Sequence, residues 1–412
     1  MENEIAVGLD IGTTKVCAIV AAPDENYPGK LKILGIGRSS SEGLTRGVVT
    51  NIEKTVRSIQ SAVQDAEQQS GVKIKSVTVG IAGDHIQSIQ SRGVVSISRP
   101  DNEITKEDVD RLIEDTKKIA LPLDRKIIHV IPQQFIVDGQ DGIYDPVGMS
   151  GVRMEAEVHI ITGLVTAAQN IYKCVQRAGL HVNDMVLEPL ASSYAVLDDE
   201  EKEIGVALLD IGGGTTDLAV FEERTIRHTA VIGIAGKKVT DDIRKGFGIL
   251  TDQAEKIKIE YGFTYEPAIE DDHEIQLPGI GGRPPITIDK HLLCKVIQPR
   301  MEEILEFAAM EIKRSGYSKH LSAGIVLTGG GSLIKGMAEL ARDVLGMPVK
   351  IGIPTGFSSG LVREIENPIY ATGVGLVIHE LKYRDRSAVK AVIQNGKGKS
   401  ILQRMKNWFE EL

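Results

Sequence analysis

The sequence predicts a two-lobed α/β fold in which two similar halves face each other across a cleft. Three observations carry this reading. Residues 8–20 (GLDIGTTKVCAIV) and 208–221 (LLDIGGGTTDLAVF) repeat one pattern: an apolar stretch, Asp-Ile-Gly, a Gly/Thr turn and a second apolar stretch. Each copy reads as a β-hairpin with glycine and threonine at its tip. Strands and helices alternate around both copies, and a third glycine-rich turn, Gly329–Gly331, follows the strand-like AGIVLT at 323–328.

After the first hairpin, 31–38 and 46–50 read as strands. Residues 51–70 form a helix with Ile52, Val56, Ile59 and Val63 on one face, stopped by Gly71. SVTVGIAG at 76–83 is the next strand. A separate module at 84–161 then carries strands near 93–98, 127–137 and 152–161. Its helix, 105–119, opens with Thr105 and Asp108 in capping-box spacing. A helix at 165–179, a strand at 182–187 and a helix from Pro189 resume the α/β pattern. Beyond the second hairpin, 236–321 is mostly helical, interrupted by the loop 265–287. The third turn opens a further helix, and a helix at 368–381 closes the compact part. Residues 382–400 read as a basic linker.

The 412 residues are 42% hydrophobic and 25% charged, which excludes a disordered or fibrous chain. Aromatics are only 4%, so a single-strand nucleic-acid binder built on stacked rings is excluded too. Net charge is −9, yet residues 382–412 hold eight Lys/Arg against three Asp/Glu, and such a tail suits an anionic surface. Cys17, Cys174 and Cys294 lack metal-ligand spacing and read as reduced, buried thiols. The N-terminus has no signal-peptide pattern, and no apolar run approaches the ~18 residues of a membrane span. A cytoplasmic body is expected.

Glycine-rich turns after strands present backbone N–H groups with no side chain in the way, and such groups bind phosphate. Gly12, Thr13, Thr14 and Lys15 form one such cradle; Gly212, Gly213, Gly214 and Thr215 form the other, on the opposite side of the same phosphates. Asp10 and Asp210 end the leading strands, where each could hold Mg²⁺ directly or through water. Gly329, Gly330 and Gly331 suit an α-phosphate or ribose. The GxxxxGK[ST] phosphate loop is absent.

These motifs, in this order, resemble the actin, Hsp70 and sugar-kinase ATPase superfamily. LEPLASSYAVL at 187–197 and PIYATGVGL at 368–376 match its two connecting helices. The resemblance implies an actin-like, duplicated ribonuclease H-like fold with four subdomains around a nucleotide cleft, ATP and Mg²⁺ as cofactors, and at most slow hydrolysis. By it, Glu188 orients the attacking water, with Asp210 as its catalytic companion, and Glu255 and Lys258 contact the nucleoside. On the residues alone, Glu188 reads equally as a helix-capping carboxylate before Pro189, and Glu255 with Lys258 as a surface ion pair. TRGVVTNIEKTVRSIQSAVQDAE (45–67) and VTVGIAGDHIQSIQSRGVVSIS (77–98) narrow the likeness to the FtsA family of bacterial cell-division proteins. The implied subdomains are 1A (1–83 and 162–199), the insert 1C (84–161), 2A (200–235 and 322–381) and 2B (236–321). The implied partners are the FtsZ C-terminal peptide, further copies of the chain in a filament, membrane phospholipid and later division proteins, at the division site. Arg300 and Glu303, on the helix 289–315, are the candidate FtsZ contacts. A sugar kinase would need a carboxylate base beside a substrate hydroxyl, and none stands out by motif. An Hsp70-type chaperone would need a substrate domain after 381, where 31 residues remain.

Residues 401–412 (ILQRMKNWFEEL) form an amphipathic pattern. At helical spacing Ile401, Leu402, Met405, Trp408, Phe409 and Leu412 fall within an arc of about 120°. Such a helix lies in the headgroup boundary of the cytoplasmic leaflet, with the basic linker drawn to anionic lipid. Deleting 401–412, or changing Trp408 and Phe409 to Glu, should release the chain from anionic liposomes in co-sedimentation while ATP binding persists. Undiminished liposome binding would place the anchor elsewhere.

Overall fold

The computed structural model describes residues 5–270, 274–277 and 284–393, the side chains of 384–393 excepted; the amphipathic pattern at 401–412 lies outside the described residues. Two mixed sheets form the lobes. The first runs, edge to edge, His181–Leu187, Ser76–Ile81, Ala6–Ile11, Lys15–Pro23, Leu31–Ser40 and Phe357–Gly360. The second runs Thr225–Ile232, Thr216–Glu222, Val206–Ile211, Ile325–Thr328 and Val349–Ile351. In each, three antiparallel strands precede two that add in parallel beside the first. The repeat seen in the sequence is therefore a repeat of topology, down to register: Asp10 faces Cys17 across one hairpin, and Asp210 faces Asp217 across the other.

Local chemistry sets the element ends. The helix Ile52–Ser70 begins where Asn51 Oδ1 accepts from the Lys54 N–H, at 3.0 Å, and ends at Gly71, whose φ is 68°. In the insert, the Thr105 N–H and hydroxyl both donate to Asp108, at 3.1 and 2.7 Å, and start the helix Lys106–Thr116. That helix is shorter than expected, and the strand Gln87–Ser96 begins earlier than the expected 93. The third glycine turn opens only a short 3₁₀ turn, Gly330–Leu333. The α-helix waits until Met337, because Gly336 takes a left-handed φ of 80° between them.

Two expectations change at the C-terminal side. The segment 322–381 does not belong wholly to the second lobe. Phe357–Gly360 pairs in parallel with Leu31–Ile33 and extends the first sheet. The closing helix, Ala371–Ile393, packs on the first sheet and on the helix Glu188–Val196. It also runs past 381 into the stretch read as linker, since no Gly or Pro interrupts residues 376–395.

Each lobe has its own apolar core. In the second, Leu293, Ile297, Met301, Ile304 and Leu305 of the helix Lys290–Ser315 lie against the strands of that sheet. A third cluster joins the halves: Cys17, Ile19, Leu208, Ala219, Ala195, Val374 and Val377 are all buried together. All three cysteines are buried free thiols, as expected. Among the described residues, no helix is long and apolar enough to cross a membrane.

The insert is a four-stranded antiparallel sheet, Gln87–Ser96, Arg153–Leu164, Arg125–Val137 and Gln140–Ile143, backed by its helix. It also reaches the second lobe at the strand Thr225–Ile232. Gln133 Nε2 donates to the Ile226 and Arg227 carbonyls at 2.8 and 3.1 Å, and Gln90 Nε2 to the Arg227 carbonyl at 3.1 Å. The Ser88 hydroxyl donates to the Thr229 carbonyl at 3.2 Å.

The two connecting helices cross at glycine. A Cβ on Gly375 would overlap the Ala191 carbonyl oxygen. Alanine is the better helix former by about 1 kcal/mol, but the overlap should cost about 1–3 kcal/mol and reverse the sign. Gly375→Ala is therefore expected to lower stability in denaturant unfolding. A stabilised variant would show that the helices can separate freely.

Candidate nucleotide and metal site

The two Asp-Ile-Gly hairpins close their turns alike. The Gly12 N–H donates to the Lys15 carbonyl at 2.9 Å, and the Gly212 N–H to the Thr215 carbonyl at 3.0 Å. The tips then meet. A Cβ on Gly213 would overlap the Thr14 side chain, and one on Gly214 would overlap Thr13. Positions 13 and 213 are equivalent in the repeat, as are 14 and 214. The contacts 14–213 and 13–214 therefore exchange under a local two-fold axis, as a self-complementary contact requires.

Carboxylates gather behind the tips. Lys15 forms an ion pair with Asp10. Burial opposes the lysine charge, but Asp10 beside it more than offsets this and holds the ammonium form firmly. Asp210 Oδ2 accepts from the Ser192 hydroxyl at 2.8 Å and the Thr372 hydroxyl at 3.3 Å, one from each connecting helix. Burial still pushes its carboxyl upward. Asp217 accepts from the Thr215 hydroxyl at 3.0 Å through Oδ2, while its buried Oδ1 has no partner. Burial and the neighbouring Asp210 push Asp217 up to about 8. Glu188 opens its helix beside Gly80, where a Cβ would come within 3.1 Å of Oε1. Its carboxyl is raised well above the usual range by burial, then by Asp10, Asp217 and Asp210. Four acids facing one lysine form a site short of positive charge.

That shortage tests whether a cation fits. Among the described residues, no three acids, histidines or cysteines stand in direct metal-ligand geometry. An orphaned buried carboxylate oxygen on Asp217, with Asp10 and Asp210 nearby, suits instead a magnesium ion that keeps most of its water.

The remaining expected residues flank the second hairpin. The Gly236 N–H donates to the Gly212 carbonyl at 3.1 Å, tying the helix Gly236–Phe247 to that turn. Lys258 Nζ donates to the Gly236 carbonyl, the Thr240 hydroxyl and Glu255, at 3.2, 2.9 and 2.8 Å. Glu255 and Lys258 thus form the expected pair, held against the phosphate turn. Gly329 has a φ of 78°, and a Cβ there would overlap Asp210 Oδ1; one on Gly331 would overlap Ile211. Gly330 sits between them with more room, near Ile369.

Arg300 and Glu303 lie elsewhere, on the helix Lys290–Ser315. They were expected to stand available on polar faces. Arg300 instead grips Asp242 through Nε at 2.6 Å and Nη2 at 3.3 Å, and pairs with Glu303, so it braces two helices of its own subdomain.

Sequence reasoning missed Asp217, Ser192, Thr372 and Thr240. Asp217 was signalled by the symmetry of Asp-Ile-Gly-Gly-Gly-Thr-Thr-Asp, which places an acid on each strand at the same level. Ser192 and Thr372 lie inside the two connecting-helix stretches, but only folding aims both at one carboxylate.

Comparison with known proteins places the chain in a family. The model of cell division protein FtsA matches residues 207–375, and that of the SHS2 domain inserted in FtsA matches 83–162. Cell division protein FtsA of Pseudomonas aeruginosa is 44% identical over 413 aligned residues, covering 99% of this chain and 98% of the relative. The Escherichia coli protein of that name is 38% identical, covering 100% and 98%. Among solved structures, a PilM–PilN type IV pilus biogenesis complex superposes with a TM-score of 0.67 at 17% identity, covering 91% of this chain and 98% of that one. MreB5 of Spiroplasma citri bound to AMPPNP gives 0.58 at 15% identity, covering 95% and 100%. The chain belongs to the FtsA family of cell division proteins, with an actin-like ATPase fold that carries the inserted SHS2 domain.

Proposed function

We propose that this chain binds Mg-ATP between its lobes, assembles into filaments and holds FtsZ filaments at the cytoplasmic face of the membrane. The observation that carries the nucleotide part is the meeting of two glycine hairpin tips in front of a buried, under-neutralised set of acids. Solved MreB5 structures of the same fold contain AMPPNP and ADP. Gly12–Thr14 and Gly212–Thr215 would cradle phosphates with backbone N–H groups. Asp10 and Asp210, with Asp217, would hold the hydrated magnesium, which supplies charge neutralisation for the phosphates. Gly330, Glu255 and Lys258 would meet the nucleoside, and Glu188 would orient the attacking water.

The tethering part rests on family membership and on the tail. Subdomain 236–321 would receive the FtsZ C-terminal peptide near Glu303 and Arg300, the insert 84–161 would join copies end to end, and 401–412 would enter the leaflet. Because Arg300 braces Asp242, Arg300→Glu is a severe test of that surface. It should abolish capture of the FtsZ peptide, whereas capture at wild-type affinity would place the site elsewhere.

The acids predict a pH dependence of nucleotide binding. A carboxyl raised to about 8 in the folded chain, against ~3.9 when unfolded, holds its proton at neutral pH. Magnesium must displace that proton, so affinity for Mg-ATP should rise by up to about tenfold per unit as pH climbs from 6 toward 8. The metal-free fold should do the opposite and lose stability over the same rise. Asp217→Asn should flatten both profiles in calorimetric titration and thermal unfolding. A flat wild-type binding profile would remove Asp217 from the metal environment.

A further inference from the structure

One residue near the cleft is held in a costly conformation without an evident structural return. Leu44–Thr45 and Val48–Val49 form a minute hairpin whose two-residue tip is Arg46 and Gly47. Both tip residues are left-handed, with φ of 49° and 76°. Such a turn favours Asn, Asp or Gly at its first position, and arginine there is strained. The second lobe offers a comparison, because Glu223 and Arg224 form a similar left-handed tip. There each charge is used at once: Arg224 pairs with Glu203 at 2.5 Å, and Glu223 pairs with Arg227. Arg46 has no such return. Its one ion pair among the described residues is a 3.9 Å contact with Asp84, and both side chains are about half exposed.

The location supplies the missing reason. The Gly47 N–H donates to Thr13 Oγ1 at 3.3 Å, so the arginine stands one residue from the first phosphate turn. A Cβ on Gly47 would overlap the Ala82 carbonyl, which fixes the tip against the end of the strand Ser76–Ile81. From there the arginine crosses to the other lobe. Its Cδ and Nη1 lie 3.8 and 3.9 Å from where a Cβ on Gly233 would stand. Gly233 immediately follows the strand Thr225–Ile232, and the next residue, Ile234, accepts from the Thr216 hydroxyl at 2.8 Å. The arginine therefore stands beside the first glycine turn and reaches the second lobe at Gly233, with Asp84 as its ion-pair partner.

The geometry points to Arg46 as a phosphate-sensing residue, which binds a phosphate dianion at the cleft and so links the two lobes. The dianion is either the terminal phosphate of a bound nucleoside triphosphate or the inorganic phosphate left after hydrolysis. This rests on the nucleotide reading above and adds to it the residue that distinguishes triphosphate from diphosphate. A planar, permanently charged fork suits that task better than a lysine would.

The test uses the full chain with Mg²⁺ and measures affinity for ATP, for ADP, and for ADP with added inorganic phosphate. Arg46→Gly removes the side chain at a position whose backbone favours glycine, so its melting temperature should not fall. Arg46→Gln removes the charge alone. In both variants the preference for ATP over ADP, or the gain in affinity from added phosphate, should drop about tenfold, with ADP affinity within twofold of wild type. A loss confined to the ATP arm assigns the terminal phosphate. A loss confined to the gain from added phosphate assigns the free ion. An unchanged ATP preference and an unchanged phosphate effect would overturn the assignment while leaving nucleotide binding intact. Failure of the unaltered chain to bind any nucleotide would overturn the nucleotide reading itself, and this inference with it.

Discussion

The close approach of two glycine tips governs the rest of the molecule. Thr13 and Thr14 of one hairpin occupy space that only Gly213 and Gly214 leave open on the other. With side chains on both tips, the halves would stand apart. With glycines on both, the first turn would lose its hydroxyls. The repeat has diverged in complementary fashion, bulky on one side and bare on the other, and this lets the two sheets converge on one point. The shared core of Cys17, Leu208, Val374 and their neighbours then joins the halves behind that point.

Convergence has an electrostatic cost, since it gathers Asp10, Asp210, Asp217 and Glu188 with one lysine. A fold selected only for stability would replace some of these acids by apolar groups. Their retention, with Asp217 Oδ1 unpaired, makes sense if a cation completes the set. Ser192 and Thr372 come from different connecting helices and meet on the same Asp210 oxygen. A change in the charge on that carboxylate is therefore felt by both helices, and so by both lobes.

Much of this was legible in the sequence, and the exceptions have physical reasons. The hairpins, the stop at Gly71 and the Thr105–Asp108 start follow from local signals, because caps and turns are short-range chemistry. The strand Phe357–Gly360 joins the first sheet through a partner more than 300 residues away in sequence, and periodicity carries no information about such a partner. The closing helix ran past its expected end because the basic composition of 382–393 resembles a linker, while the absence of Gly and Pro permits a helix. Asp217 was overlooked for a different reason. It lies beyond the turn on the second strand, and only the cross-strand register brings it opposite Asp210.

The contact between the insert and the strand Thr225–Ile232 has a consequence for the open edge of the second sheet. That strand is the outermost of the second sheet, and an outermost strand is an open template on which a stray chain can add. Side-chain amides from Gln90 and Gln133 occupy the carbonyls of Ile226 and Arg227, so the template is blunted from within. The insertion thereby withdraws one indiscriminate route by which a foreign strand could extend the sheet.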